Sequence, residues 1–239
     1  MNKLSNLLMA NVPKYEITIP SSETSTTFRP FLVKEEKVLL LAQESNSDSD
    51  ILIAIKNIIE SCVDGIEDAG SLPLFDIEYL FLQIRSKSVG ESVNPTIICP
   101  TTGESISVKV LIPDIEITKN KSHKNKISIN DNIILKMKYP TLNDLSKREG
   151  VLDYTNSESF YYLIADCIVS IETKSDLIDA TSLPKEEVLD FVDSMTKSQF
   201  ENVLDFFLTS PKIEHTVSYT TSDGTERKVV LSGLSDFFG

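Results

Sequence analysis

The side chains best suited to chemistry in this 239-residue sequence are two histidines and three cysteines. His123 lies in a lysine-rich stretch and His215 lies near the C-terminus, and neither is close to a nucleophile motif. A surface position or packing against a strand is the expected role of both. Cys62 and Cys167 fall on the apolar faces of predicted helices, where a small core residue is expected. Because catalysis needs reactive groups that converge, the sequence predicts no catalytic residue and no enzyme.

Two predicted hairpin turns have the outline of metal-binding knuckles. Residues 99–103 read Cys-Pro-Thr-Thr-Gly, which matches the zinc-ribbon pattern C-P-x-C-G except that threonine replaces the second cysteine. The other turn, residues 219–224, contains no cysteine. A tetrahedral structural zinc needs four nitrogen or sulfur ligands, and these turns supply one, so no metal is predicted. Two ordinary hairpins are expected, and the alternative is a ribbon-like scaffold that has lost its metal.

Motifs for nucleotides and for paired acids are also missing. Neither G-x-G-x-x-G nor G-x-x-x-x-G-K-[ST] occurs, so no cofactor is predicted. The acidic pairs Glu35-Glu36 and Glu186-Glu187 are adjacent, point apart on a helix, and suit a solvated face. A hydrolase would need two convergent carboxylates, which makes a hydrolase the least favoured class of function.

The charge of the chain is distributed unevenly. The whole sequence carries a net charge of -13, yet residues 119–148 contain eight basic and two acidic side chains. Four of the basic residues are clustered at Lys119, Lys121, Lys124 and Lys126. This cluster is either the solvated tip of a hairpin or a dock for an acidic protein surface. Nucleic acid is not expected, because the cluster lacks interleaved aromatic residues and the rest of the chain would repel phosphates.

The composition of the chain indicates the cellular compartment in which the protein is expected. Hydrophobic residues make up 41% of the sequence, enough for a globular core. No window contains about 18 uncharged apolar residues, and Asn6 and Asn11 interrupt the apolar N-terminus, so neither a membrane span nor a secretory signal is expected. Three widely spaced cysteines fit a reducing compartment. We therefore expect a protein made and kept in a cytoplasm.

The N-terminal third is predicted to be one strand followed by helices. Alternating apolar residues indicate a strand at 15–19, and the Ser/Thr run at 21–27 is interpreted as a loop. A near-continuous run of apolar residues predicts a short buried helix from about Glu35. Apolar periodicity predicts helices over 51–63, with Ser47 or Asp48 as cap, and over 74–88.

The centre and the C-terminal part differ in predicted secondary structure. A β-rich insert is predicted over 95–139, with a hairpin turn at 101–104. Four helices are predicted to follow. The first runs from Thr141 toward Arg148 and Gly150, and the second covers 157–171. The third begins after a cap at Ser182, and the fourth begins after a capping box formed by Thr196 and Gln199. A closing hairpin turns at 221–224 and leaves residues 235–239 at a free end. These elements predict an α+β fold, divided into residues 1–93, 94–140 and 141–239.

Four stretches together resemble the baseplate hub and hub-assembly proteins of T4-like contractile-tailed bacteriophages. The most characteristic stretch is FRPFLVKEEKVLLLAQES, residues 28–45. It is supported by YLFLQIRSKSVGES at 79–92, by ILKMKYPT at 134–141, and by the terminal hairpin with its Gly-Leu-x-x-Phe-Phe ending at 215–239. Relatives can carry cysteines at the hairpin turns, and this sequence departs from that pattern.

The resemblance implies a non-enzymatic part of the baseplate hub, located in the virion tail or in the cytoplasm of the infected host during assembly. Other baseplate or hub proteins are the implied partners, and a homo-oligomer or ring is possible. The alternative is a transient chaperone that is absent from the mature virion. Besides the lysine cluster, the candidate partner contacts are Phe28, Arg29, Phe31, Leu234, Phe237 and Phe238. Arg29 could instead tie its own chain to a helix end, and the terminal phenylalanines could fold back onto their own domain.

Overall fold

The computed structural model shows a mixed α+β fold that separates into two compact units. It describes residues 8, 11–45, 47–146 and 157–238, the side chains at 48, 157 and 238 excepted. One unit combines residues 1–118 with 212–239, and the other comprises 119–211. The three segments predicted from the sequence group the chain differently, because the C-terminal hairpin pairs with a strand that ends at Thr118.

The first unit begins with a hairpin. Strand β1 (Tyr15–Ile19) pairs antiparallel with β2 (Thr24–Phe28), which places Tyr15 opposite Phe28. The predicted strand is confirmed, but the predicted loop is wrong from Thr24 onward. The serine and threonine side chains of this run suit a pleated surface, and pairing with β1 satisfies the main-chain groups that a loop would leave to water.

Three helices follow where helices were predicted, but the first was predicted to be short and buried, and most of its 12 residues are exposed. They are α1 (Val33–Glu44), α2 (Asp48–Cys62) and α3 (Leu74–Ser88). The hydroxyl of Ser47 accepts a hydrogen bond from the Asp50 N–H at 3.3 Å, which confirms the predicted cap of α2. The core beneath them is formed by aliphatic side chains of α2 and α3, among them Ile55, Ile58, Ile59, Ile77, Leu80 and Ile84.

Short strands make the next layer of the first unit. They are β3 (Ser92–Val93), β4 (Thr96–Ile98), β5 (Ser105–Ser107), β6 (Val110–Leu111) and β7 (Glu116–Thr118). β3 pairs with β6, and β4 pairs with β5 with Ile97 opposite Ile106. The predicted hairpin at 101–104 is therefore confirmed. Gly103 has φ +72°, a value that favours glycine in the turn.

The second unit contains a four-stranded antiparallel sheet with the order β11-β10-β9-β8. Its strands are β8 (Lys126–Asn130), β9 (Ile133–Met137), β10 (Ile168–Thr173) and β11 (Leu177–Asp179). Its helices are α4 (Leu142–Leu145), α5 (Ser157–Cys167), α6 (Lys185–Asp193) and α7 (Lys197–Thr209). The helix predicted over 157–171 is wrong after Cys167, because β-branched residues continue as β10 and pair with β9.

The caps in this unit agree only partly with the prediction. Thr141 caps α4 as predicted, in a capping box with Asp144, and Thr196 forms the predicted capping box with Gln199. Ser182 is not a cap: it ends a 3-10 turn, and Pro184 precedes the first residue of α6. The predicted continuation to Arg148 and Gly150 lies outside the described residues.

The chain then returns to the first unit. Strand β12 (Lys212–Thr220) pairs antiparallel with β7 and with β13 (Glu226–Ser232), which confirms the terminal hairpin. Helix α8 (Gly233–Phe238) follows. The predicted free end is wrong here, because Phe237 is 2% exposed and packs in a cluster with Ile112, Ile213 and Leu231.

Candidate partner-binding surfaces

The predicted contacts near the N-terminus are part of the core of their own unit. Phe28 is buried and lies with its ring centroid 5.6 Å from that of Tyr15. Arg29 donates hydrogen bonds to Glu35 Oε1 and to the carbonyl oxygens of Pro30 and Ser61, each at 2.9 Å. The arginine therefore ties its own chain to the start of α1 and the end of α2.

Glu35 completes this arrangement from inside α1. Its Oε2 accepts the N–H of Leu32 at 2.8 Å, and its Oε1 lies 3.1 Å from Lys34 Nζ. Burial acts to raise the pKa of Glu35, but the hydrogen bonds from Arg29, Leu32 and Lys34 outweigh burial, so its pKa is below the ordinary value. The network stabilises the carboxylate in its charged form.

The remaining predicted apolar contacts also belong to the first unit. Phe31 is partly buried, and its N–H donates to Ser88 Oγ at 2.9 Å. Leu234 is partly buried against the core that also holds Phe237. The side chain of Phe238 lies outside the described part of the chain. In this fold Leu234 and Phe237 pack onto their own unit, which is the second of the two arrangements considered from the sequence.

The predicted lysines, by contrast, are exposed. Lys119, Lys121 and Lys124 lie in the segment before β8, and Lys126 begins that strand. The register of β8 and β9 places Lys126 directly opposite Lys136. Like charges in opposed positions destabilise a sheet, so the Lys126–Lys136 pair does not stabilise the fold.

Neighbouring acids neutralise only part of this charge. Glu172 Oε2 on β10 lies 3.2 Å from Lys126 Nζ, and Asp144 Oδ2 lies 2.7 Å from Lys138 Nζ. Lys121, Lys124 and Lys136 have no acidic partner among the residues that the structure describes. Sequence analysis did not place Lys136 in the site, although the two-residue period of a hairpin could have aligned it with Lys126.

His123 anchors the lysine segment to the second unit. Its ring centroid lies 5.4 Å from that of Tyr139 and 5.0 Å from that of Phe206. Its Nδ1 is 2.9 Å from Thr209 Oγ1. Burial lowers the pKa of His123, which favours the neutral ring. The histidine is therefore a packing residue, and it holds the middle of a segment whose lysines point to solvent.

The two ribbon-like turns lie against each other in the first unit. Glu104 Oε2 accepts the N–H of Ser222 at 3.1 Å, and the Ser222 hydroxyl bonds to Glu104 Oε1. Arg227 adds a second connection, with contacts of 3.4 Å to Thr101 Oγ1 and 3.3 Å to Asp223 Oδ2. Hydrogen bonds between polar side chains thus join turns that a metal ion joins in a zinc ribbon.

Cys99 sits beneath these turns and is fully buried. The pKa of Cys99 is lowered to about 7 by hydrogen bonds. The largest contribution comes from the Thr102 side chain, and smaller ones come from the main chain of Thr102 and Thr101 and from the Tyr219 side chain. Across the described ranges, no three histidine, cysteine or acidic side chains are grouped so that they could hold a metal ion. The donor set does not fit a four-ligand zinc site.

None of the helices in the described ranges is both long and apolar enough to cross a bilayer.

Comparisons with curated proteins and with solved structures gave no match. One family model, described as "T4 bacteriophage base plate protein", matches residues 12–239. This match confirms the resemblance inferred from the sequence at the level of a T4-like baseplate protein. Because it covers nearly the whole sequence, this chain belongs to the T4 bacteriophage base plate protein family.

Proposed function

We propose that this chain is a non-enzymatic component of the baseplate hub that acts by docking to other baseplate proteins during tail assembly. Family membership supports a structural role in the baseplate. The observation that carries the docking proposal is the set of lysines Lys121, Lys124, Lys126 and Lys136, which we call the lysine surface. Its expected location in use is the virion tail baseplate.

The lysine surface is suited to an acidic protein partner. Lys126 and Lys136 are opposed across two strands, and Lys121 and Lys124 add charge from the adjoining segment. An arriving acidic surface would relieve the repulsion within the hairpin at the same time as it gains ion pairs. The binding energy of exposed ion pairs is modest, so their main effect is on orientation and encounter rate.

The acidity of the remaining chain favours one direction of approach for an acidic partner. The net charge of -13 repels an acidic partner from most approaches, whereas residues 119–148 attract it. A partner with an acidic face would therefore meet the chain in a preferred orientation. This effect depends on long-range electrostatics, so we expect the association rate to fall as salt shortens the Debye length.

Charge reversal tests the docking proposal. The variant Lys121→Glu, Lys124→Glu, Lys136→Glu should bind co-expressed hub proteins at least about tenfold more weakly than wild type, because attraction becomes repulsion. The matched control reverses three exposed lysines outside this surface, Lys109→Glu, Lys174→Glu and Lys228→Glu, and should bind nearly as wild type. Equal binding by both variants would refute a role for the lysine surface.

A second experiment separates a retained subunit from a transient chaperone. Quantitative mass spectrometry of purified virions, beside the infected-cell lysate, measures the copy number of the chain in each. A fixed number of copies per virion supports the hub component. Abundance in the lysate with none in virions, together with a requirement for assembly, would instead establish the chaperone.

A further inference from the structure

Helix α1 carries exposed apolar residues on the face that points away from the core. Its buried side is formed by Glu35 and Ala42. The opposite side follows the spacing i, i+4, i+7, i+8 and i+11 and consists of Val33, Lys37, Leu40, Leu41 and Glu44. We call these five residues the outer stripe.

The exposure of the outer stripe is unusual for a surface helix. Val33 is 70% exposed, Leu40 52% and Leu41 65%. The outward face of such a helix is ordinarily polar, and isolated exposed leucines need no explanation, but adjoining ones mark an interaction site. Val38 on α1 and Ile53 on α2 are exposed as well.

The charges within the stripe point to its occupant. Lys37 precedes the two leucines by three and four residues, and Glu44 follows them by four and three. In an antiparallel pair of α1 helices centred between positions 40 and 41, each Leu40 faces Leu41 of the other copy. Each Lys37 then faces Glu44 of the other copy. A parallel pair would instead place Lys37 beside Lys37, which is repulsive.

We propose that two copies of this chain associate through the outer stripe of α1 in an antiparallel, two-fold symmetric contact. The contact is isologous, since the same patch serves both copies and its charges are complementary to themselves. Removing the leucines from water supplies the attraction, and the two Lys37–Glu44 pairs select the antiparallel orientation. This inference does not depend on the lysine surface or on the hub assignment.

The size of the stripe sets the expected strength. Helix α1 has 12 residues and is therefore about 18 Å long. Two helices of this length bury less surface area than a stable obligate dimer does. The contact therefore falls in the range of weak, reversible dimers. We expect dimers that form as the protein concentration rises and dissociate on dilution.

Sedimentation equilibrium of the full chain over a range of concentrations tests the contact. The variant Leu40→Ser, Leu41→Ser should raise the dimer dissociation constant about tenfold or more, because the centre of the contact loses its apolar area. The control Leu208→Ser changes a leucine on α7 that is 72% exposed and should leave the dissociation constant unchanged. Circular dichroism checks that each variant is folded, which is expected because the substituted side chains face solvent.

Charge exchange tests the orientation. Lys37→Glu and Glu44→Lys should each weaken the dimer, whereas the double variant should restore it, since each new pair again has opposite charges. A wild-type chain that stays monomeric at all concentrations would overturn the proposal. So would a double variant no better than the single ones, or a stripe that binds only a different baseplate protein.

Discussion

The carboxylate of Glu104 and the main chain of Ser222 are joined at 3.1 Å, although 118 positions separate them in sequence. The Ser222 hydroxyl bonds to the same carboxylate. Glu104 thereby fastens the β4–β5 turn to the β12–β13 turn. In a zinc ribbon the corresponding turns are held by a metal, and in this chain the Glu104 carboxylate supplies the contacts to Ser222 beside those that Arg227 makes.

The link between the turns should therefore depend on pH. The hydroxyl and N–H of Ser222 lower the pKa of Glu104 in the folded state. A carboxyl with a lowered folded pKa stabilises the fold above its unfolded pKa, and this contribution is lost as pH falls through the folded value. The variant Glu104→Gln should lower the melting temperature at pH 7 and lose less stability than wild type on acidification. Melting curves between pH 7 and pH 3 measure both effects.

Glu226→Gln is the control for this prediction. Glu226 is exposed on β13 beside the same turn, and its substitution should leave the melting temperature and its pH dependence nearly unchanged. If Glu104→Gln and Glu226→Gln behave alike, Glu104 does not hold the turns together.

Glu78 should have the opposite pH dependence. It lies on α3 and accepts a long hydrogen bond of 3.4 Å from the N–H of Leu234. Burial raises the pKa of Glu78 to about 7, above the ordinary value for glutamate, so the folded state is destabilised by ionisation at higher pH. Glu78→Gln keeps the acceptor oxygen and should increase stability at pH 8 by about 1–2 kcal/mol, less than the roughly 3 kcal/mol that the full shift would give.

Urea unfolding at pH 8 and pH 5 measures this difference. The advantage of Glu78→Gln should shrink as pH falls from 7 toward the unfolded pKa, because the folded state then holds a proton that the unfolded state lacks. It disappears below the unfolded pKa, where both states hold the protonated acid. Glu67→Gln, at an exposed position before α3, serves as the control. An equal gain at both pH values would show that the charge of Glu78 is not the cause.

The Arg29–Glu35 pair should contribute strongly to the stability of the first unit. Both side chains are at most 10% exposed, and removal of one member of a buried pair leaves the other without compensation. Arg29→Met is expected to lower the free energy of unfolding by about 3 kcal/mol. Lys34→Met removes the exposed partner of the same carboxylate and should cost less than about 1 kcal/mol. Urea denaturation compares the two, and similar losses would contradict this assignment.

His123 should make the lysine segment sensitive to acid. Its Nε2 is buried and has no hydrogen-bond partner within the described ranges, and burial lowers its pKa. A base with a lowered folded pKa stabilises the fold above its unfolded pKa and loses this contribution as pH falls. Amide hydrogen exchange over residues 119–126 should therefore speed up relative to intrinsic rates between pH 7 and pH 5.

The variant His123→Gln provides the comparison for that measurement. It cannot gain a proton in this range, so its protection should be lower at pH 7 and should change little on acidification. A wild-type segment with the same protection factors at both pH values would show that His123 does not control it.

Much of the local structure could be predicted because its causes are local. Several predicted features depend on neighbours within a few residues. They are the 3.6-residue periodicity of α2 and α3, the cap at Thr141, the capping box at Thr196, and the turns of the two predicted hairpins. The family could also be inferred from short packing motifs, and the family model confirms it.

Other features follow from contacts between distant parts of the chain. The segments Thr24–Phe28 and Ile168–Thr173 become strands because β1 and β9 offer them partners. Phe237 is buried because the closing hairpin returns it to the core of the first unit. The sequence by itself determined most helices, most turns and the charge pattern, through spacing and propensity. Only the tertiary structure decided which aromatic residues are buried and that Glu104 meets Ser222, because pairing energies between remote segments leave no periodic signal in the sequence.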